Sequence, residues 1–357
     1  MRIAHIACIA LNNETGMGRI ASNWKRAFEA AGHTFIHIGR NEVPQSHMLV
    51  WGKKAAAYCR SKHISADVWL VHEPFGGDFT AMPGKLVVFS HGIEERAWNL
   101  NRQLGFDKLT LKARLLPDAV RFHAHRKGFK HAALSLLSNS TDRAFLERKH
   151  IASDKIFVFK NGFNAFQPVE PPMSVELRDV HIVFNGTWIP RKGIDTIVAA
   201  MNELFFKRTD VALLLIGTVF SAEHVLQGFH NTHRNRIRVL SHFAEKEEAA
   251  LLQSADIFLL PSYLEGQSVA LTQAMAMGLC PVVSDNSGQI DFVHHQKNGM
   301  LFQTGNHASL VDTINFLLDN KAEIVRLGSA AADTVRQLHW ENVTATIVQR
   351  IEAIVCT

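Results

Sequence analysis

The sequence is poor in the features that mark several protein classes. It holds four cysteines, Cys8, Cys59, Cys280 and Cys356, far apart and without a CxxC pair. That excludes a disulfide framework and a Cys-rich zinc site, and fits a reducing compartment. No apolar run reaches the roughly 18 residues that a membrane-crossing helix needs. The N-terminal stretch MRIAHIACIALNNETG turns polar early and lacks a basic leader and a cleavage site, so it reads as a first strand and not as a signal peptide. There is no Asp-x-Asp motif to hold Mg²⁺ or Mn²⁺. Internal repeats and low-complexity tracts are also missing.

What is present is enough for two ordinary domains: 357 residues, of which 47% are hydrophobic and 20% charged. The net charge of +5 suits an anionic partner such as a nucleotide diphosphate, a nucleic acid or an acidic membrane, and selects none of them. Short apolar runs alternate with amphipathic segments. Ile3–Ala10, Thr34–Ile38, Val68–Val71 and Lys85–Phe89 read as strands, and Gly18–Ala31 as a helix with Ile20, Trp24 and Phe28 on one face. The pattern restarts with strands at Val180–Phe184, Val211–Ile216, Arg238–Leu240, Ile257–Leu260 and Cys280–Ser284. Helices are expected between them at Gly193–Leu204, Glu245–Gln253 and Ser268–Met277. Alternation of this kind predicts parallel sheets with helices on both faces. The proline-containing stretch 164–178 is the expected linker. The expected domains are 1–165 and 166–340, with a C-terminal helix at 341–357 packing back toward the first. Ligands of such sheets lie beyond the carboxyl ends of the strands.

Four strand-end segments carry chemistry. After Leu260, the loop PSYLEG brings Glu265 and Gly266 to a helix whose first N–H groups, around Gln267, Ser268 and Val269, are expected to attract an anion. Gln273 follows, about 80° round that helix from Glu265 by helical geometry. After Phe184, the loop NGTWIPRKG offers Gly186, Thr187 and the adjacent cations Arg191 and Lys192, a fork and a point charge for phosphate oxygens. The third segment, Gly16-x-Gly18-x-x-Ala21, mimics a dinucleotide fingerprint. Its first glycine stands too far from the strand, so a glycine-rich loop that a substrate can approach is the better reading. The fourth is the pair His72 and His91, each directly after an apolar strand, with His91 the preferred catalytic group.

These loops, with Ala31-Gly32-His33, KIFVFKNG at 155–162, ADIFLLPSYLE at 255–265, AMAMGLCPVVSDNSG at 274–288 and His339-Trp340-Glu341, resemble the family-4 retaining glycosyltransferases of the GT-B fold over nearly the whole chain. The resemblance implies an α/β architecture of two Rossmann-like doubly wound domains facing across a cleft. The second domain would hold a nucleotide-sugar donor. Arg191 and Lys192 would bind its diphosphate and Glu265 the sugar, while Gly266, Gln267, Ser268 and Val269 would offer N–H groups. Gly16 and Gly18 would border the phosphates, and His91 would lie near the reacting carbon. A hexose-type sugar would be transferred with retention to a polysaccharide, glycolipid or small-molecule acceptor, with neither metal nor cofactor.

Two positions depart from the family pattern. Gln273 stands where a second Glu normally holds the ribose, and Thr187 where many members carry Arg. The amide has no charge and makes a weaker bond than a carboxylate. A nucleotide-sugar-binding protein with little turnover, or a nucleotide-sugar epimerase, is therefore the alternative. For the acceptor side, 108–130 carries seven Lys/Arg and one acid among interleaved apolar residues. It reads as a solvated helix pair or as a peripheral contact with the inner face of a membrane. A nucleic acid is not an expected partner, because the cations are spread out and no known module is present. The expected location is cytoplasmic.

Overall fold

The computed structural model describes residues 1–12, 15–106, 117–164 and 179–356. The chain forms two compact units. One comprises Met1–Asn161 with Trp340–Thr357, and the other Gly162–His339. The expected linker, apart from Asn164, and residues 108–116 of the basic segment lie outside the described residues.

The first unit holds β1 (Arg2–Ile6), α1 (Gly16–Ala30), β2 (Thr34–Ile38), α2 (Met48–Ser61), β3 (Val68–His72), β4 (Lys85–Ser90), α3 (Glu94–Leu104), α4 (Asp118–Arg121), α5 (His123–His131), β5 (Leu134–Leu137), α6 (Ser140–Arg148) and β6 (Ile156–Val158). The second holds β7 (Val180–Asn185), α7 (Ile194–Lys207), β8 (Val211–Ile216), α8 (Ala222–Leu226), β9 (Ile237–Leu240), α9 (Glu245–Gln253), β10 (Ile257–Leu260), α10 (Val269–Ala276), β11 (Cys280–Ser284), β12 (Met300–Phe302), α11 (His307–Asp319) and α12 (Lys321–Val335). The last helix, α13 (Trp340–Val355), belongs to the first unit and packs on α1, where His33 Nε2 lies 2.9 Å from Glu352 Oε1.

Each unit is one six-stranded sheet, ordered β2-β1-β3-β4-β5-β6 and β12-β11-β10-β7-β8-β9, and every pairing is parallel. Alternate residues of a strand point to opposite faces. In the second sheet Ile182, Leu213, Leu215, Ile257, Leu259 and Val282 enter one apolar cluster. Val183, Leu214, Phe258, Leu260 and Val283 enter another. Both faces are therefore covered, which is why these strands read as continuous apolar runs. The order reverses between β1 and β3 in the first sheet and between β7 and β10 in the second. Such switch points open a crevice at the strands' carboxyl ends.

Two expected boundaries are corrected. The first strand stops at Ile6, not Ala10, because Ile9 N–H donates to Ala7 O at 2.7 Å and turns the chain. Gly16 and Gly18 lie in the first turn of α1, not in a loop. The Thr15 hydroxyl accepts from Gly18 N–H at 3.1 Å and caps the helix. Among the described residues no helix is long and apolar enough to cross a membrane.

Candidate active site

The loops after β7 and β10 flank the second switch point, and they are laced together. After β7 the chain passes Gly186 and Thr187 and forms a 3₁₀ turn at Pro190–Lys192 that ends on Gly193 with φ +75°. A Cβ at Gly193 would stand 2.0 Å from Pro261 O, so only glycine allows the turn to rest on the β10 loop. Tyr263 N–H donates to Arg191 O at 2.9 Å, and Arg191 Nη1 donates to Leu264 O at 3.1 Å. The Tyr263 hydroxyl donates to Asp195 Oδ2 at 3.0 Å. Lys192 Nζ reaches Glu265 Oε1 at 2.6 Å, and Ser262 Oγ donates to the same oxygen at 2.7 Å. Gly186 borders this pair, with Lys192 Cε 3.9 Å from where its Cβ would be.

Glu265 is buried, which by itself raises a carboxyl's pKa. The charges of Lys192 and Arg191 and the bonds from Lys192 and Ser262 outweigh that, so the carboxyl stays below its ordinary value. The site thus holds an ionised acid and two cations at the mouth of the sheet.

The start of α10 differs from expectation. Ser268 is the N-cap and its Oγ accepts from Leu271 N–H at 3.3 Å, so Gln267 lies outside the helix, as does Glu265. The 80° helical angle between Glu265 and Gln273 therefore does not apply. Gln267 Nε2 donates to Thr272 Oγ1 at 3.0 Å and is occupied within the loop. Val269 opens α10 and is buried, and Gly266 lies against Gly288, whose Cβ would stand 1.9 Å from Gly266 O. Gln273 is only 1% exposed, and among the described residues neither its amide oxygen nor its nitrogen finds a hydrogen-bond partner. A buried amide with both ends unpaired is costly and marks a place for a polar group. Thr187 is half-buried, its carbonyl taking Ile189 N–H at 2.9 Å.

Several supporting residues are missed by sequence reasoning. Ser284 Oγ donates to Ser262 O at 2.6 Å, Gln289 Nε2 to Leu260 O at 2.7 Å, and Asn286 Nδ2 to Ser262 O. These buried amides and hydroxyl pin the β10 loop from the loop after β11. The signal available was the polar run SDNSGQ directly after an apolar strand.

Gly16, Gly18 and His91 belong to the first unit, and the other named residues to the second. His91 follows β4 and lies over Phe89 and Phe159, with ring centroids 5.5 Å and 5.9 Å away. Burial pushes its imidazole down to about 4, and among the described residues its buried Nδ1 has no partner. His72 is pushed down to about 3 by burial and then by His91. His5 and His37 join them, their Nδ1 atoms 2.8 Å apart. His37 Nε2 faces Ile9 O at 3.2 Å and must carry a proton. Its Nδ1 then accepts from His5 Nδ1–H, which leaves His5 Nε2 a bare, buried lone pair. Among the described residues no cluster of three or more His, Cys, Asp or Glu could hold a metal ion.

Residues 179–320 match the family model described as glycosyl transferases group 1. A Campylobacter jejuni N,N'-diacetylbacillosaminyl-diphospho-undecaprenol alpha-1,3-N-acetylgalactosaminyltransferase is 35% identical over 241 residues, 64% of this chain and 63% of that protein. A phosphatidyl-myo-inositol mannosyltransferase of Mycobacterium leprae is 29% identical over 167 residues, 46% of this chain. The chain spans 44% of the length of that mannosyltransferase. Among solved structures, sucrose-phosphate synthase from Thermosynechococcus elongatus superposes with a TM-score of 0.81 at 17% identity, covering 99% of both chains. The architecture of two parallel six-stranded sheets is that of the GT-B glycosyltransferases. Residues 179–320 thus match the group 1 glycosyl transferases, and the chain as a whole has the fold of sucrose-phosphate synthase.

Proposed function

We propose that this protein is a glycosyltransferase that moves a hexose-type sugar from a nucleoside-diphosphate sugar to a carbohydrate or lipid-linked acceptor, with retention and without a metal. The observation that carries the proposal is the meeting of Arg191, Lys192 and Glu265 at the β7/β10 switch point. Loss of a sugar from its diphosphate leaves negative charge on phosphate oxygens, and fixed cations stabilise that charge as it builds. Lys192 is the point charge and Arg191 the fork. In the free protein Glu265 keeps Lys192 in place. When a diphosphate arrives, its oxygens compete for the ammonium, and the freed carboxylate oxygen accepts from sugar hydroxyls.

Gln273 supports a ribose subsite. Its orphaned oxygen and nitrogen suit two neighbouring hydroxyls, one donating to the oxygen and one accepting from the nitrogen. His91, neutral at pH 7, would offer its imidazole near the reacting carbon, and Gly16 and Gly18 would line the phosphate side. The relatives' names support the acceptor class, since both act on lipid-linked molecules. Gln273 also favours a second reading, a protein that binds the donor with little turnover.

A thermal-shift screen with UDP-, GDP-, ADP- and TDP-sugars tests the donor site, because a ligand of the folded state raises the midpoint by mass action. One nucleotide series should stabilise the protein, and Lys192→Ala should remove that stabilisation, read against the variant's own ligand-free midpoint, which should itself fall because the buried Glu265 loses its counter-charge. The same series should be hydrolysed slowly at a rate indifferent to chelator. No stabilisation by any series would sink the donor site. Binding without hydrolysis would favour the second reading, and chelator-sensitive hydrolysis would overturn the metal-free mechanism.

A further inference from the structure

The turn from β4 into α3 carries His91, and side chains from neighbouring strand ends hold its backbone. Strands β3, β4 and β5 run side by side, with His72 level with Phe89 and Leu137 level with Ser90, so their carboxyl ends lie abreast. The first N–H groups of a helix have no partner within it. Here three successive ones find side chains. Gly92 N–H donates to Ser90 Oγ at 3.1 Å, Ile93 N–H to Asp142 Oδ2 at 3.3 Å, and Glu94 N–H to Glu73 Oε1. Ile93 is the N-cap of α3 and supplies no capping side chain of its own. The caps come instead from Glu73, directly after β3, and from Asp142, in the first turn of α6 after β5.

Both carboxyls are fully buried, which is costly for an acid. Asp142 is well supported. Asn139 Nδ2 donates to its Oδ2 at 2.8 Å, Asn139 Oδ1 accepts from its N–H at 2.7 Å, and Arg96 Nη1 meets its Oδ1. Arg96 lies on α3 itself, so Asp142 grips that helix by backbone and by side chain. Glu73 Oε1 also faces His125 Nδ1 at 3.5 Å. A Ser or Asn at position 93 would cap α3 without burying a charge. Two acids from other strand ends do more, because they fix the helix start against the sheet. His91 has no such support. Among the described residues no hydrogen bond reaches its ring. Trp24, Phe89 and Phe159 confine it by contact alone. Its place therefore follows from the backbone that Gly92, at φ +126°, turns into α3.

We propose that, granted the reading of His91 as the group near the reacting carbon, Asp142 and Glu73 are its positioning residues: they hold the β4–α3 turn by the N–H groups of Ile93 and Glu94 and so fix where the imidazole stands. Neither acid needs to touch a substrate. A misplacement of about 1 Å at a reacting centre costs on the order of a hundredfold in rate, so a turn held from two sides has a catalytic consequence.

Two measurements on the full chain test this. The first is the NMR titration of His91 in histidine-labelled protein, its signal assigned by its loss in His91→Gln. In the parent it should titrate at about 4, where burial holds it. Asp142→Ala should loosen the turn and let water reach the ring, moving the titration toward the free value of about 6.5. Asp142→Asn should titrate as the parent does. Its amide oxygen still accepts from Ile93 and Asn139, while Arg96, partly exposed, turns to water. The second is steady-state hydrolysis of UDP-glucose, GDP-mannose, ADP-glucose and TDP-glucose, with kcat and KM separated. On the sugar nucleotide that the parent hydrolyses, Asp142→Ala should lower kcat by about tenfold or more with KM within about threefold, and Asp142→Asn should recover most of the loss. A purely structural acid would change the folded fraction and leave kcat per folded molecule as in the parent. Glu73→Ala and Glu73→Gln form the same pair should Asp142→Ala not fold. An unmoved His91 titration in the alanine variants overturns the proposal whatever the activity. So does a shifted titration with kcat unchanged. A parent that hydrolyses none of the four sinks the catalytic reading of His91, and the titration still decides whether the acids hold its ring.

Discussion

Glu265 is held at low pKa by its neighbours, not by its surroundings. Lys192 and Ser262 both donate to its Oε1, and burial works against ionisation. A carboxyl whose folded pKa is depressed stabilises the fold above its unfolded value, and that contribution is lost as pH falls through the folded value. Glu265→Gln keeps the shape and leaves Lys192 without its counter-charge. The Lys192 side chain can lean toward water, which limits the damage. A loss of about 1–3 kcal/mol at pH 7 is expected, read from urea unfolding, and it should shrink as pH falls below the ordinary carboxyl range and through the lowered pKa of Glu265. A parent-like midpoint at pH 7 would show that the pair holds nothing. Both members were legible in the sequence because each follows an apolar strand. Their pairing was not, since it joins residues 73 positions apart and depends on β7 and β10 being neighbours across the sheet. The orphaned amide of Gln273 was legible as a departure in residue type, but its burial was not.

At the level of elements, strands and helices with strong apolar periodicity read true. Val211–Ile216, Glu245–Gln253, Ile257–Leu260 and Cys280–Ser284 form as the pattern predicts. Gly16 and Gly18 misled because a glycine-rich loop was read where the Thr15 hydroxyl caps the first turn of a helix. Their environments now separate them. A Cβ at Gly16 meets nothing within 4 Å, whereas one at Gly18 would stand 2.5 Å from Asn12 O. Gly16→Ala should therefore stabilise the first unit by about 0.5–1 kcal/mol by restricting the unfolded chain. Gly18→Ala should destabilise it, because backbone must move to admit the methyl group. Denaturant midpoints of the two variants should shift in opposite directions, and a shared sign would refute the helical placement. The overlong first strand has a related cause. Ala7–Ala10 is apolar because it is partly sheltered beyond the strand end, not because it pairs in the sheet.

The whole molecule contains separate cores whose responses to acid differ. The first unit has the four imidazoles of His5, His37, His72 and His91, all with pKa values lowered chiefly by burial. In the unfolded chain these groups titrate near 6.5. Between about pH 6.5 and 4 the unfolded state therefore binds more protons than the folded one, and stability falls as pH falls through that window. Above it the contribution is complete and flat. The Nδ1–Nδ1 contact of His5 and His37 adds a geometric reason, since the bond holds one proton and a second would force the rings apart. In the second unit the buried Glu265 pair weakens only below about pH 4.5. The tryptophans distinguish the two. Trp24, Trp51, Trp69, Trp98 and Trp340 lie in the first unit and Trp188 alone in the second. Thermal unfolding followed by tryptophan fluorescence should therefore move to lower temperature between pH 7 and pH 4.5. Far-ultraviolet circular dichroism, which sees both units, should broaden or split as the first unit leaves before the second. If fluorescence and circular dichroism stay superimposed across that range, the histidines do not set the first unit's stability, and the two cores melt as one.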